Sequence, residues 1–192
     1  MQSHDEMRQA NRKRRAALTP EQLERAAAAL AQKILQLSCY QQAYHVAVYF
    51  AVHGEISLDP VIDHALAHGK RVYLPNLDRQ SLRFSPYFHE QKMRINKFRL
   101  PEPDVADEEM LQPGQLDLVL APLVVFDDER NRIGMGGGFY DRSFAFLRWR
   151  AVWRRPLLIG LAYDFQRAKT LHAEAWDVPL HSVVTEQRVY EF

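Results

Sequence analysis

The run His45-Val46-Ala47-Val48-Tyr49-Phe50, followed by Asp59-Pro60, by Gly69 and by Arg71-Val72-Tyr73-Leu74, decides the fold. Positions 46–50 are continuously apolar, as a parallel strand buried on both faces requires. Asp59-Pro60 opens a helix that runs through His68, Gly69 closes it, and Arg71–Leu74 is the next strand. Strand, helix and strand make a βαβ unit. The pattern returns with a strand over Asp117–Ala121, a glycine-rich turn, a helix from about Gly138 to Trp149 and a strand over Leu157–Leu161. Such alternation predicts an α/β fold with a mostly parallel sheet flanked by helices.

Upstream of this unit, a polar, helix-prone segment from about Ser3 to Leu18 gathers Arg8, Arg12, Lys13, Arg14 and Arg15. Thr19-Pro20-Glu21-Gln22 reads as a helix start, with Thr19 as N-cap, Pro20 at the first helical position and Gln22 reaching back as in a capping box. The helix it opens is predicted to run to about Leu37, because Leu23, Ala27, Leu30, Ile34 and Leu37 recur at helical spacing. Between the two strand–helix–strand units, Leu82, Phe84, Tyr87 and Phe88 predict antiparallel strands within Ser81–Pro103. This extension ends in a Pro-bounded loop, Leu100-Pro101-Glu102-Pro103. One or two further strands are expected over His181–Thr185 and Arg188–Phe192.

With 192 residues, 47% hydrophobic and 26% charged, and with no internal repeat or linker, residues 1–192 are expected to form one domain. Lys and Arg number 25 against 24 Asp and Glu, so the net charge of +1 gives no overall field to attract nucleic acid. The basic run Arg12 to Arg15 has no interleaved aromatics and is a weak nucleic-acid signal. Cys39, the single cysteine, excludes an intrachain disulfide and a multi-Cys zinc site, and reads as a buried small hydrophobe near a helix end. The apolar run Leu118–Phe126 is broken by Pro122 and falls far short of the ~20 residues that cross a bilayer. The N-terminus lacks an apolar signal region, and Asp5 and Glu6 sit where a transit peptide avoids acids. The expectation is a soluble, cytoplasmic, monomeric protein whose partners are small molecules, with no nucleic acid and no membrane.

Chemistry concentrates in Arg132-Ile133-Gly134-Met135-Gly136-Gly137-Gly138-Phe139-Tyr140-Asp141-Arg142, where four of the chain's eight glycines fall within five positions. Glycines in succession let backbone N–H groups converge on an anion, and a following helix adds its positive end, so phosphate is the expected ligand. The dinucleotide fingerprint would need glycine at Phe139, and no Lys followed by Ser or Thr closes the loop as in a Walker A sequence. Asp141 falls in the first turn of the helix, where it serves the dipole or, beside a polyphosphate, holds Mg2+. Glu174-Ala175-Trp176-Asp177-Val178-Pro179-Leu180 sets acids beside Trp and Pro at the entry to a terminal strand. Glu55, after Gly54, follows the strand ending at Phe50, and ligands of α/β sheets gather at the carboxyl ends of strands.

At these residues the chain resembles the 5-formyltetrahydrofolate cyclo-ligases, also called methenyltetrahydrofolate synthetases. The resemblance spans nearly the whole chain: Met7-Arg8 and the basic helix, Leu18-Thr19-Pro20-Glu21, His53-Gly54-Glu55, Gly69 to Pro75, Leu118 to Asp127, Arg132 to Arg142, Gly160-Leu161-Ala162-Tyr163-Asp164, Trp176 to Leu180, and Val184-Thr185. It implies a three-layer sheet of the sugar-isomerase and CoA-transferase type with an antiparallel extension. It also implies an ATP- and Mg2+-dependent cyclisation of 5-formyltetrahydrofolate to 5,10-methenyltetrahydrofolate, with ADP and phosphate released. Carried over by position, Arg8 and Arg132, Ile133, Gly134, Met135, Gly136, Gly137, Gly138, Phe139 and Tyr140 would bind ATP, with Met135 to Phe139 also touching the folate. Phe50 and Glu55 would face the pterin, and Asp141 and Asp177 would hold Mg2+. The family's usual Lys about four residues before Arg8 is here His4, with Arg12 or Lys13 available to substitute at the triphosphate.

Phosphorylating a formyl oxygen demands positioning and charge neutralisation more than a protein nucleophile, and the chain offers no Ser/His/Asp or Cys/His arrangement. Two alternatives remain open. A sugar-phosphate isomerase on the same fold would use the loop but leaves Asp177 and the N-terminal arginines without a role. A non-catalytic folate- or nucleotide-binding regulator would keep the pocket without turnover.

Overall fold

The computed structural model describes residues 3–97, 99–149 and 155–192. Its elements follow in chain order: α1 (His4–Ala16), α2 (Pro20–Gln36), α3 (Ser38–Gln42), β1 (His45–Ala47), α4 (Asp59–Ala67), β2 (Arg71–Asp78), β3 (Ser81–Tyr87), β4 (Met93–Ile95), β5 (Pro101–Pro103), β6 (Leu118–Pro122), β7 (Val125–Phe126), β8 (Arg132–Ile133), α5 (Phe139–Ser143), β9 (Leu157–Leu161), β10 (Ser182–Val184) and β11 (Val189–Glu191). The main sheet has the order β11-β10-β9-β6-β1-β2-β3. Its five central strands, β10 to β2, run parallel, and β3 and β11 close the two edges antiparallel.

Alternation along the strands divides the core. Val46, Val72, Leu74, Leu118, Leu120, Ile159, Leu161 and Val184 face α2 and α4, where Leu30, Ile34, Val61 and Ala65 are fully buried. Ala47, Tyr73, Val119, Ala121, Leu158 and Val183 face the other way, onto Phe126, Phe144 and the segment after the glycine loop. Each fully buried Leu, Ile or Phe contributes about 1.5–3 kcal/mol, so both layers are held by burial rather than by helix propensity. Helix α2 starts as its sequence dictates: Thr19 Oγ1 accepts from Gln22 N, and Gln22 Oε1 accepts from Thr19 N at 2.9 Å. Helix α1 begins with the same device, from Ser3 and Glu6.

Several elements depart from the sequence reading. Strand β1 stops at Ala47; Val48 and Tyr49 are buried as expected, and Val48 N still bonds Tyr73 O, but the chain then leaves the sheet for the His53–Glu55 turn. The helix expected over Gly138–Trp149 is the five-residue α5 followed by 3-10 turns over Ala145–Trp149. The aromatic contacts of Phe144 and Phe146 against the sheet override helical continuity there. A two-stranded hairpin, β7 with β8, lies between β6 and the glycines. The expected loop Leu100–Pro103 contains β5, which pairs with β4 in a separate two-stranded ribbon, where edge prolines are tolerated. Cys39 is half-buried in α3 rather than buried, and its partial burial pushes the thiol up. Among the described residues, no helix is long and apolar enough to cross a membrane.

Candidate active-site cleft

Strand β1 sits where the strand order reverses: β2 lies on one side of it, and the later β6 on the other. Loops leaving the carboxyl ends of two such strands part, and a crevice opens between them. Here it is a cavity of about 730 Å³. It is lined by His4, Arg8, Phe50, Glu55, all of Arg132 to Asp141, and Asp177, so residues up to 173 positions apart in sequence meet in one space. The β4–β5 ribbon closes one wall through Asn96, Leu100, Pro101 and Glu102, and Trp176, 61% exposed, stands at the rim.

The glycine loop presents its backbone to this space. No N–H of Met135, Gly136, Gly137 or Gly138 has an acceptor among the described residues. Gly136 (φ 98°) and Gly138 (φ 62°) occupy the left-handed region that L side chains disfavour, the kind of backbone that lets successive amides converge on an anion. Arg142 braces the loop from behind, donating from Nη2 to Gly137 O at 2.7 Å and from Nε to Gln80 O at 2.6 Å. With only five residues, α5 has little macrodipole to offer an anion. Positive charge comes instead from α1: Arg8 donates from Nε to Gly134 O at 2.9 Å, and Arg12 Nη2 lies 3.6 Å from Met135 Sδ. Of the two residues expected to stand in for a Lys, Arg12 reaches the loop; Lys13 does not line either space beside it.

Arg132 lines the cavity but spends its guanidinium inside the protein. Nη1 donates to Val178 O, and Nη2 pairs with Asp141 Oδ1 at 2.5 Å, its side chain only 5% exposed. The pair ties the glycine loop to the Trp176–Leu180 segment and brings Asp141 and Asp177 to the same wall. Asp141 Oδ1 also accepts from Val178 N at 3.2 Å, and Asp177 Oδ2 accepts from Glu174 N at 2.9 Å, leaving one oxygen of each carboxylate without a protein partner among the described residues. No three His, Cys, Asp or Glu side chains cluster to form a metal cage among the described residues. Two carboxylates beside a phosphate cradle nevertheless fit Mg2+, a hard cation that takes one or two carboxylates, with phosphate oxygens and water completing the shell.

Glu55 is more deeply set than its place after a strand suggested. It is 7% exposed, Oε2 accepts from Val52 N at 3.2 Å, and Oε1 lies 3.7 Å from Arg15 Nη1. Burial pushes its carboxyl up, opposed by the Arg15 charge and the Val52 N–H. Burial also raises Tyr49 and Tyr140, so both phenols are neutral at physiological pH. Sequence reasoning missed Arg15 and Glu102. The signal for Arg15 was present: His4, Arg8, Asn11 and Arg15 repeat at helical spacing, and Asn11 and Arg15 are the buried residues of α1. Glu102, accepting from Leu77 N at 3.0 Å and Asn96 Nδ2 at 2.8 Å, had no such signal, since it was read as part of a loop.

The chain is similar to known proteins over nearly its whole length. The 5-formyltetrahydrofolate cyclo-ligase of Escherichia coli K12 is 37% identical over 184 residues, covering 94% of this chain and 99% of its own. That of Haemophilus influenzae is 38% identical over 186 residues, covering 95% and 97%. The 5,10-methenyltetrahydrofolate synthetase structure from Aquifex aeolicus superposes with a TM-score of 0.82 at 28% identity, over 98% of this chain and 92% of that one. The Mycoplasma pneumoniae synthetase shares the fold at a TM-score of 0.75 and 23% identity, over 96% and 99%. A family model matches residues 1–186, and the chain belongs to the 5-formyltetrahydrofolate cyclo-ligase family.

Proposed function

We propose that this chain closes the ring of 5-formyltetrahydrofolate to 5,10-methenyltetrahydrofolate, using ATP and Mg2+ and releasing ADP and phosphate. The observation that carries the reading is one cavity shared by a loop whose four N–H donors have no acceptor among the described residues, a buried carboxylate and an aromatic side chain. A triphosphate suits the first and a pterin the second. Met135 to Phe139, which line the same cavity as Glu55 and Phe50, would touch both ligands, so that the γ-phosphate and the formyl group meet beside the loop.

The formyl oxygen is a poor leaving group and must be activated. The formyl oxygen attacks the γ-phosphorus, the bond to the ADP oxygen breaks, and ADP leaves. N10 then bonds to the formyl carbon, the oxygen departs with phosphate, and the N10 proton passes to solvent. The loop amides with Arg8 and Arg12 neutralise transferring charge, and Glu55 with Phe50 fixes the pterin so that N10 reaches the carbon. Asp141 and Asp177 are the residues that would hold Mg2+, whose role is to shield the phosphates from one another. None of these steps needs a protein nucleophile.

Mixing the protein with 5-formyltetrahydrofolate and MgATP while following methenyl absorbance beside phosphate release tests the reading. Equal amounts of both products are expected. ATP hydrolysis without methenyl product, or binding of both ligands with no turnover, would overturn it in favour of another phosphotransfer or of a regulator.

A further inference from the structure

Arg15 stands outside the cavity, yet is built more tightly than any residue the reaction uses. Its side chain is 1% exposed. Nη2 donates to Leu123 O, and Nε lies 3.4 Å from Gln166 Oε1. Nη1, however, is buried with no hydrogen-bond partner, and its neighbour is Glu55 Oε1 at 3.7 Å. Leaving a buried guanidinium N–H unmade is costly, so a fold that needed Arg15 only for packing would gain by replacing it. The surrounding backbone is fitted to this contact. Gly54, at φ 72°, presses its turn against the last turn of α1, where an added Cβ would meet Arg15 Cβ at 3.1 Å and Arg15 O at 3.3 Å.

We propose that Arg15 is a positioning residue for the folate: from behind the cavity wall it keeps the Glu55 carboxylate ionised and aimed at the pterin. This rests on Glu55 being the pterin's acceptor. The groups acting on Glu55 support the assignment. Tyr49 just after β1, Tyr140 from α5 and Tyr163 after β9 are phenols raised by burial, and carry no positive charge. Arg15 is the cation that offsets the burial of Glu55. Without it the carboxyl would take up a proton, and a protonated acid presents an O–H donor to a pterin edge that itself donates.

Folate affinity measured across pH for wild type, Arg15→Gln, Arg15→Lys, Glu55→Gln and the Arg15→Gln/Glu55→Gln double variant tests this. Arg15→Gln removes the charge but can still bond Leu123 O. It is expected to bind folate about tenfold more weakly near pH 7, the scale of one charge-assisted hydrogen bond, and to recover as pH rises and Glu55 ionises. Arg15→Lys should stay within about threefold of wild type, and the double variant should bind no worse than Glu55→Gln. A pH-independent loss in Arg15→Gln, or one that adds to that of Glu55→Gln, would overturn the proposal. So would an Arg15→Lys protein with wild-type melting and folate binding as poor as Glu55→Gln; this arm stands even if Arg15→Gln does not fold. Wild-type folate binding by Glu55→Gln would instead overturn the placing of the pterin at Glu55.

Discussion

Glu55 carries two opposing demands. It must be desolvated to be selective and ionised to accept two N–H donors from an aminopyrimidinone edge. Gln offers one acceptor and one donor and mismatches that edge, so Glu55→Gln is expected to weaken folate binding by about 1.5–3 kcal/mol while leaving ATP affinity nearly intact. Separate titrations with each ligand check it; a loss confined to ATP would contradict the assignment. The pH dependence has a definite sign. Burial moves the Glu55 carboxyl up, so on acidification its charge, and folate binding with it, is lost above the ordinary Glu range.

Asp141 and Asp177 separate on structural grounds. Both changes to Asn should raise the Mg2+ concentration needed for turnover. Asp141→Asn should also lower the melting temperature, because Arg132, 5% exposed, loses its charge partner, whereas Asp177→Asn removes only a turn contact. Unchanged Mg2+ dependence in both variants would remove them from the metal site.

The glycine loop is an element defined by what it lacks. Gly134 has open space where a Cβ would go and no positive φ, so Gly134→Ala should leave melting and ATP binding near wild type. Gly136 sits at φ 98° with the Arg8 guanidinium 3.7 Å from a would-be Cβ, so Gly136→Val should strain the turn, displace Arg8 and weaken ATP binding at least about tenfold. Calorimetry of the two variants decides whether the backbone conformation or mere glycine content matters; equal affinities would contradict the cradle. Which elements the sequence revealed follows the same logic. The start of α2, the strand Leu157–Leu161 and the helix closing at Gly69 were legible because caps, period and a left-handed glycine are local signals. The shortened α5, the β7–β8 hairpin and the β4–β5 ribbon were not, because aromatic packing and edge pairing between distant segments decide them.

For the molecule as a whole, the sheet's central strands fix the distance between the two halves of the cleft. Leu120, fully buried on β6, packs toward α2 and α4, away from the cavity, so Leu120→Ala should cost about 2–5 kcal/mol of stability, read by denaturant unfolding, without changing affinity for either ligand. The glycines could be singled out by their clustering, Asp141 by its place in the helix turn after them and Glu55 by its position after a strand, while Asp177, an acid beside Trp and Pro at the entry to a strand, gained its role only from the family resemblance. Their convergence could not, since it depends on strand order, and Glu102, which lines the cavity, and Arg15, which stands behind Glu55, come from segments read as a loop and as a polar, helix-prone stretch.

In the proposed reaction the cleft joins a nucleotide to a folate so that the formyl oxygen itself takes the phosphoryl group. Turnover of 5-formyltetrahydrofolate carrying 18O in the formyl group, with MgATP in unlabelled water, tests this directly. One 18O is expected in each phosphate released and none in ADP. Unlabelled phosphate, with the label found in water or formate, would contradict it.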